Sequence, residues 1–200
     1  MTFHEPTLRW TAIFLWGMGL ACGLSYAIAY QYTPAQSNLA PDRWPLGTSC
    51  TLAADRPTLV MFVHPRCPCS RASLNELAIL MTRCHDRLAT QVLFFKPGTV
   101  ETHWVHTDLW SSAEQIPNVV PRIDFEGNEQ RYFNARTSGE VFVYLPTGDV
   151  LFHGGITAGR GHVGDNVGRS RLESLLLRDE RAICTTPVFG CDLSSAGTDP

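Results

Sequence analysis

The sequence is organised around one stretch, Leu59-Val-Met-Phe-Val-His-Pro-Arg-Cys-Pro-Cys-Ser70. Its apolar first half predicts a buried strand at residues 58–63, and apolar residues at helical spacing after Ser70 predict a helix to about residue 87. Cys67 therefore lies where a strand passes into the first turn of a helix. Unpaired N–H groups and the positive end of the helix dipole favour a thiolate over a thiol at such a position. The stretch predicts a reactive sulfur.

Strands and helices alternate along the rest of the chain. The predicted segments are strands at 91–95, 118–123, 140–145 and 149–152, and helices at 102–115, 128–135 and 166–178. The last two strands flank Pro146-Thr-Gly148, a sequence typical of a hairpin turn. This order predicts an α/β fold with a central mixed sheet, which is mainly parallel, ends in an antiparallel hairpin and has helices on both faces.

The composition suits one folded domain with short appendages. The chain has 200 residues, of which 44% are hydrophobic and 18% charged, so it has enough apolar side chains for a core. The net charge is −3 and there is no long basic run, so no nucleic-acid partner is predicted. We expect a domain at residues 51–178, followed by a Cys-containing tail at 179–200.

An uncharged stretch precedes the predicted domain. No charged residue lies between Arg9 and Asp42, and residues 10–31 are long and apolar enough for a transmembrane helix. Because Arg9 favours the cytoplasmic side, residues 1–9 are predicted to be a cytoplasmic N-terminus. Residues 32–50 are then a linker, and the domain lies on the extracytoplasmic, periplasmic side of the membrane.

The same stretch also has the form of a signal peptide that is cleaved after Ala27-Ile-Ala29. The uncleaved anchor is the favoured interpretation, because the apolar region is longer than the usual core of a signal peptide.

The cysteines outside this stretch indicate redox chemistry. They are Cys50, Cys67, Cys69, Cys84, Cys184 and Cys191. Cys67 is the predicted nucleophile, which attacks a disulfide as a thiolate and forms a mixed disulfide. Either Cys69 or Cys191 resolves that intermediate, unless Cys191 instead forms a structural disulfide with Cys184. Cys50 and Cys84 are expected to be packed or paired.

Several residues near Cys67 are candidates for supporting roles. Arg66 adds a positive charge that favours a thiolate, unless it is simply an exposed residue at the helix start. His64 either tunes the thiol, relays protons or binds metal, or is packed at the strand end. Ser70 is expected to cap the helix or to hydrogen-bond the thiolate. The glycine-rich segment that carries His153, Arg160 and His162 is favoured as a structural loop over an active-site loop.

A strand that ends in a Cys at a helix start resembles the active-site element of the thioredoxin-like superfamily. In thioredoxins this strand runs into Trp-Cys-Gly-Pro-Cys, so the alignment places Cys67 on the first Cys and Ser70 on the second. The site is therefore Cys-Pro-Cys-Ser. The resemblance covers about residues 50–178, and it implies a thioredoxin-like fold in which Thr137 and Ser138 face the thiol site.

Further motifs are similar to RedB-like membrane-anchored bacterial proteins of thioredoxin fold. They are His-Pro-Arg-Cys-Pro-Cys-Ser at 64–70, Thr-Ser-Gly at 137–139, Gly-Gly-Ile-Thr at 154–157, Arg-Gly-His at 160–162 and Val-Phe-Gly-Cys at 188–191. One position departs from thioredoxins. They carry a cis-proline before the hairpin, where this chain has Arg-Thr-Ser-Gly at 136–139. In the superfamily this proline guides the substrate chain and helps keep metals off the thiols.

Three functions are compatible with these patterns. The leading one is a membrane-anchored, extracytoplasmic thiol–disulfide oxidoreductase that needs no cofactor and acts on a thiol or disulfide of another protein. The second is a metallochaperone that binds copper or zinc through the soft ligands Cys67 and Cys69 together with His64. The third is a non-catalytic thioredoxin-like binding domain whose cysteines are structural.

Overall fold

The computed structural model describes residues 5–178 and 182–193, and the chain divides into two units, Met1–Thr33 and Pro34–Pro200. The first unit consists mainly of helix α1 (Glu5–Tyr32). Within the described residues, α1 is the one helix that is long and apolar enough to cross a membrane. The predicted transmembrane segment, residues 10–31, lies inside it.

The second unit alternates strands and helices. Its elements are β1 (Thr58–Val63), α2 (Pro68–Cys84), β2 (Ala89–Lys96), α3 (Asp108–Glu114), β3 (Val119–Phe125), α4 (Asn128–Phe133), β4 (Glu140–Tyr144), β5 (Val150–Gly155), α5 (Val167–Leu177) and β6 (Cys184–Thr185). Two short 3-10 turns, His85–Arg87 and Thr102–Trp104, connect them. Every strand and helix that the sequence predicts between residues 58 and 178 has a counterpart here, although some boundaries differ.

All six strands form one sheet in the order β3-β2-β1-β4-β5-β6. Strands β1, β2 and β3 are parallel, whereas β4 runs antiparallel to β1 and β5 antiparallel to β4. The two-residue strand β6, which the sequence did not predict, pairs in parallel with β5. The predicted mixed sheet with its antiparallel hairpin is confirmed.

Strand β1 contributes side chains to both faces of this sheet. Leu59, Met61 and Val63 join a core cluster with residues of α2, α3 and α5. Val60 and Phe62 join a second cluster on the other face, where α4 packs. A strand covered on both faces needs an apolar side chain at nearly every position, so this strand reads as a continuous apolar run. The prediction of helices on both faces is confirmed.

The helix predicted at residues 102–115 is interrupted. The chain makes the 3-10 turn Thr102–Trp104, becomes extended at Thr107 with φ −88° and ψ 178°, and begins α3 at Asp108. The hydroxyl of Thr107 donates a hydrogen bond of 3.0 Å to the carbonyl of Pro65. This hydrogen bond connects the interruption at Thr107 to the loop before Cys67. The periodicity of apolar residues in the sequence could not predict it, because the two residues are far apart in the chain.

Residues 34–53, most of which the sequence predicts to be a linker, pack on the sheet. The ring of Trp44 meets the rings of Phe133 and Tyr144 edge to face, at centroid distances of 5.3 and 5.4 Å. The Tyr144 hydroxyl donates a hydrogen bond of 3.0 Å to the carbonyl of Pro41. The segment lacks periodicity because contacts with other elements hold it in place, without a helix or strand of its own.

We expect Trp44→Ala to lower the free energy of unfolding by about 2–3 kcal/mol, because a half-buried ring loses its aromatic contacts. The matched control is Leu46→Ala. Leu46 is 93% exposed, so its removal should change stability by less than about 0.5 kcal/mol. Urea denaturation followed by circular dichroism measures both values. Equal, negligible effects would show that this segment is a linker after all.

Candidate active site

Three sulfur atoms meet at the N-terminal end of α2. The Sγ atoms of Cys67 and Cys191 are 3.2 Å apart, and those of Cys67, Cys69 and Cys191 all lie within 4.8 Å of one another. Cys67 ends the loop after β1, Cys69 lies in the first turn of α2, and Cys191 lies in the C-terminal tail. The structure thus brings together the three cysteines predicted to be catalytic, all of them as free thiols. Their roles in catalysis stay a prediction.

A tight turn places Cys67 at the helix start. Its N–H donates a hydrogen bond of 3.2 Å to the carbonyl of His64, and its carbonyl accepts one of 3.0 Å from the N–H of Ser70. The turn is anchored to the hairpin side of the sheet, because the N–H of His64 donates a hydrogen bond of 2.9 Å to the Ser138 hydroxyl. The end of β1 and the loop before β4 therefore position Cys67 jointly.

Pairing of the tail with the loop before β4 places Cys191. The N–H of Ser138 donates to the carbonyl of Cys191 at 2.8 Å, and the N–H of Leu193 donates to the carbonyl of Arg136 at 2.9 Å. Leu193 is buried in the core. A Cβ atom at Gly190 would overlap the Ser138 carbonyl oxygen, so glycine permits this close approach. The sequence shows Gly190 and Cys191 in the tail, but it does not show that they contact the loop before β4.

The glycine-rich segment contributes one residue to the site. The guanidinium of Arg160 donates a hydrogen bond to the carbonyl of Gly190, next to Cys191, and its charge favours the Cys191 thiolate. His162 turns back on the segment itself, with Nδ1 3.1 Å from the carbonyl of Arg160. The sequence favoured a structural loop, and the structure adds that this segment reaches the cluster through Arg160, which holds the tail next to Cys191.

A buried carboxylate that sequence reasoning missed holds the end of this segment. Glu76 of α2 is fully buried, and it accepts hydrogen bonds from the N–H of Gly164 at 2.6 Å and from Nδ2 of Asn166 at 2.9 Å. The Nε atom of Arg169 lies 3.1 Å from the same carboxylate. Since α2 begins at the sulfur cluster, this ion pair connects the cluster's helix to the segment that carries Arg160.

A second buried carboxylate, Glu140, shapes the loop that holds the tail. It accepts hydrogen bonds from the N–H groups of Arg136 and Thr137 at 2.7 and 3.0 Å, and its other oxygen lies 2.8 Å from Nε2 of His153. Glu140 and His153 are both buried. The sequence contained a signal for this pair: Glu140 is an acidic residue at the start of an apolar strand, and His153 directly follows the strand predicted to pair with it.

Exposure differs among the three sulfur-bearing residues. Cys67 is only 4% exposed, whereas Cys69 and Cys191 are half-buried. The residue predicted to be the nucleophile is therefore the least accessible of the three. Cys69 and Cys191 are therefore more accessible from solvent than Cys67.

Hydrogen bonds make Cys67 the thiolate of the cluster. Its pKa is lowered mainly by hydrogen bonds from the Cys191 and Cys69 thiols and, against the cost of burial, by the N–H groups of Cys69 and Ser70. The pKa values of Cys69 and Cys191 are raised, because their thiols take part in these hydrogen bonds as protonated groups.

The guanidinium of Arg66 lies over the ring of Trp104, 4.8 Å from its centroid.

His64 lies in an aromatic environment beside the cluster. It is 2% exposed, and its ring contacts Phe95 and Trp104 at centroid distances of 6.0 and 5.5 Å. Burial lowers its pKa, so the ring is neutral at neutral pH. Its Nδ1 accepts a hydrogen bond of 3.2 Å from the N–H of Arg66. The sequence indicated His64, Cys67 and Cys69 as possible metal ligands. Within the described residues, the potential ligands that lie together are Cys67, Cys69 and Cys191.

Two serine hydroxyls meet at the end of β1. The hydroxyls of Ser70 and Ser138 are 2.7 Å apart, and Ser70 also donates a hydrogen bond of 2.9 Å to the carbonyl of His64. Both serines are fully buried. The Ser70 hydroxyl therefore stabilises the turn, while its N–H group stabilises the thiolate. The Thr137 hydroxyl donates a hydrogen bond of 2.7 Å to the carbonyl of Gln36.

The remaining cysteines of the domain lie apart from the cluster. Burial raises the pKa of Cys50 to about 11 and also raises that of Cys84, so both are protonated and unreactive at neutral pH. Cys184 is half-buried on β6, whereas Cys191 lies beside Cys67. Cys191 is therefore placed to pair with Cys67, and the described residues contain no disulfide between Cys184 and Cys191.

No protein-family model and no curated protein matches the sequence. Among solved structures, an uncharacterized conserved protein from Geobacillus kaustophilus is 13% identical with a TM-score of 0.59, over 81% of this chain and 92% of that one. A hypothetical protein from Sinorhizobium meliloti 1021 is 18% identical with a TM-score of 0.57, over 82% and 93%. A secreted disulfide oxidoreductase from Mycobacterium tuberculosis is 11% identical with a TM-score of 0.43, over 62% and 81%.

The fold is thioredoxin-like. Three parallel strands, an antiparallel hairpin and a cysteine at the start of the helix after the central strand define it, and the predicted fold class is confirmed. Membership of the thioredoxin-like superfamily stays a prediction. The narrower resemblance to RedB-like proteins stays a prediction.

We expect the Cys67 thiolate of the reduced protein to persist at a pH well below the usual cysteine pKa of about 8.5. Cys191→Ala removes the strongest hydrogen bond to this thiolate and should raise the pKa of Cys67, whereas Cys191→Ser keeps a donor and should raise it less. A pH titration of thiolate absorbance at 240 nm measures the change, and Cys67→Ser identifies the signal. Identical curves for all Cys191 variants would contradict this account.

Proposed function

We propose that the protein is a thiol–disulfide oxidoreductase in which Cys67 and Cys191 alternate between two thiols and one disulfide. The observation that supports this most directly is the Sγ–Sγ distance of 3.2 Å. A disulfide bond is about 2.0 Å long, so a small movement of the tail brings the two sulfurs to bonding distance. Exchange with a partner disulfide, which accepts the two electrons, then forms the bond. The partner is another protein that carries a thiol or a disulfide.

The difference in exposure assigns different tasks to the two sulfurs. In the oxidised protein, a thiolate of the partner attacks the more accessible Cys191 Sγ, and the Cys67–Cys191 bond breaks. Cys67 leaves as a thiolate, and a sulfur with a lowered pKa is the better leaving group. The partner's second thiolate then attacks the partner sulfur that is bonded to Cys191. The partner's own disulfide forms, and Cys191 is released as a thiolate. The partner loses two electrons and becomes a disulfide, while this protein gains two and becomes a dithiol.

The reverse sequence reduces a partner disulfide. Cys191 attacks one sulfur of the partner disulfide, the partner's S–S bond breaks, and the leaving partner sulfur takes up the proton of Cys191. The Cys67 thiolate then attacks Cys191 Sγ, closes the Cys67–Cys191 disulfide and releases the partner as a dithiol. The relative reduction potentials of the two proteins decide the direction. Cys69 lies within 4.8 Å of both sulfurs, so it is a third thiol that can resolve the mixed disulfide when Cys67 is absent.

In a protein that already carries Cys69→Ser, we expect Cys67→Ser and Cys191→Ser each to abolish turnover of a glutathionylated peptide, because neither double variant can close a disulfide within the cluster. The Cys67→Ser, Cys69→Ser protein should accumulate glutathione on Cys191, as peptide mass spectrometry would show. Cys184→Ser, in the same tail but outside the cluster, is the control with normal turnover. Normal turnover of the Cys67→Ser, Cys69→Ser protein would sink the proposal.

We further propose that α1 anchors the protein in a membrane with the thioredoxin-like domain on the extracytoplasmic side. Helix α1 is long and apolar enough to span a bilayer, and Arg9 at its start favours a cytoplasmic N-terminus. Disulfides persist on the extracytoplasmic side, so thiol–disulfide exchange fits that location.

This topology predicts that alkaline phosphatase fused to the C-terminus is active in bacterial cells, because that enzyme needs an oxidising compartment. The fusion should stay in the membrane fraction after a carbonate wash, and deletion of residues 1–33 should leave it inactive and soluble. An active fusion released into the soluble periplasmic fraction would instead indicate a cleaved signal peptide.

A further inference from the structure

We propose that the reduced protein binds one Cu(I) ion through the three thiolates of Cys67, Cys69 and Cys191. Three thiolates bound to one metal ion at about 2.3 Å each lie roughly 4 Å apart. In the structure, the Sγ atoms of Cys67 and Cys191 are 3.2 Å apart, and all three sulfurs lie within 4.8 Å of one another. Movements of less than about one ångström therefore convert the cluster into a three-coordinate site.

Each of the three ligands is held by a different part of the fold. The turn between His64 and Ser70 holds Cys67, and the first turn of α2 holds Cys69. The backbone bonds of the tail to Arg136 and Ser138 hold Cys191. Because ordinary protein contacts bring the sulfurs together, the site exists before an ion binds, and little conformational freedom is lost on binding.

The chemistry of the donors favours monovalent copper. The cluster consists of sulfur atoms only, and soft thiolates favour Cu(I), zinc and iron–sulfur clusters over harder ions. Zinc in structural sites is almost always four-coordinate, and within the described part of the chain the cluster has three ligands. The proposed ligands therefore differ from those that the sequence indicated, because Cys191 takes the place of His64.

The surroundings offset part of the negative charge. A Cu(I) ion with three thiolates carries a net charge of −2. The guanidinium of Arg160, bonded to the carbonyl of Gly190, lies beside the Cys191 ligand. The positive end of the 17-residue helix α2 is directed at Cys67 and Cys69. The tail has its own anchor in Leu193, so the site does not depend on the ion to fold.

Copper binding and disulfide formation exclude each other, because both use the sulfur atoms of Cys67 and Cys191. A chain loaded with Cu(I) is therefore unable to close its disulfide until the ion is removed. This inference goes beyond the proposed oxidoreductase activity, and it can fail while that activity stands.

The test titrates the full-length, reduced protein in detergent with Cu(I) under anaerobic conditions, in competition with bicinchoninate. We expect one ion per chain, and X-ray absorption should show three sulfur neighbours. Cys69→Ser and Cys191→Ser should each weaken binding by more than about 100-fold, since even outer partners of a metal site contribute roughly 10–100-fold. Cys184→Ser is the matched control and should bind like the wild type.

Uptake that is unchanged in Cys191→Ser, or two sulfur neighbours with unchanged uptake in Cys69→Ser, would overturn the three-thiolate site. Cys69 lies at the start of a helix and is half-buried, so its variant stays informative if Cys191→Ser fails to fold. Turnover of the glutathionylated peptide by copper-free protein is measured separately. Normal turnover without copper uptake would reject this inference and leave the proposed function intact.

Discussion

The site depends on two backbone hydrogen bonds between the C-terminal tail and the loop before β4. They join the N–H of Ser138 to the carbonyl of Cys191 and the N–H of Leu193 to the carbonyl of Arg136. These bonds bring together two sulfurs that are 124 residues apart in the chain. Without them Cys67 would still lie at the start of α2, but its nearest anchored partner would be Cys69, two residues away.

The loop in turn depends on a charge buried beneath it. An isolated carboxylate in a protein interior is costly unless hydrogen bonds satisfy it. Glu140 meets this condition through the N–H groups of Arg136 and Thr137 and the ring of His153. The same bonds that offset the cost of burying Glu140 therefore define the loop conformation. Glu76 acts similarly on the glycine-rich segment, from the helix that begins at the cluster.

The paired serines leave the tail as the source of the second sulfur beside Cys67. Ser70, which the sequence aligns with the second cysteine of thioredoxins, and Ser138 bond to each other and to the end of β1. This pair stabilises the turn and provides no sulfur. Cys191 reaches Cys67 from another direction, which leaves room for Cys69. A cluster of three sulfurs follows from this arrangement, and both the proposed disulfide exchange and the proposed copper binding depend on it.

By itself, the sequence determined the elements and the position of Cys67 at the start of a helix, because both depend on local patterns. The continuous apolar run of β1, the helix after Ser70 and the turn of the hairpin are each written in a few neighbouring residues. Only the tertiary structure decided which sulfur lies beside Cys67, that Cys67 is the least exposed of the three, and that Trp44 and Cys50 of the segment 34–53 pack with the core. Their physical causes are long-range backbone bonds, buried carboxylates and aromatic contacts, and these act between segments that no local periodicity connects.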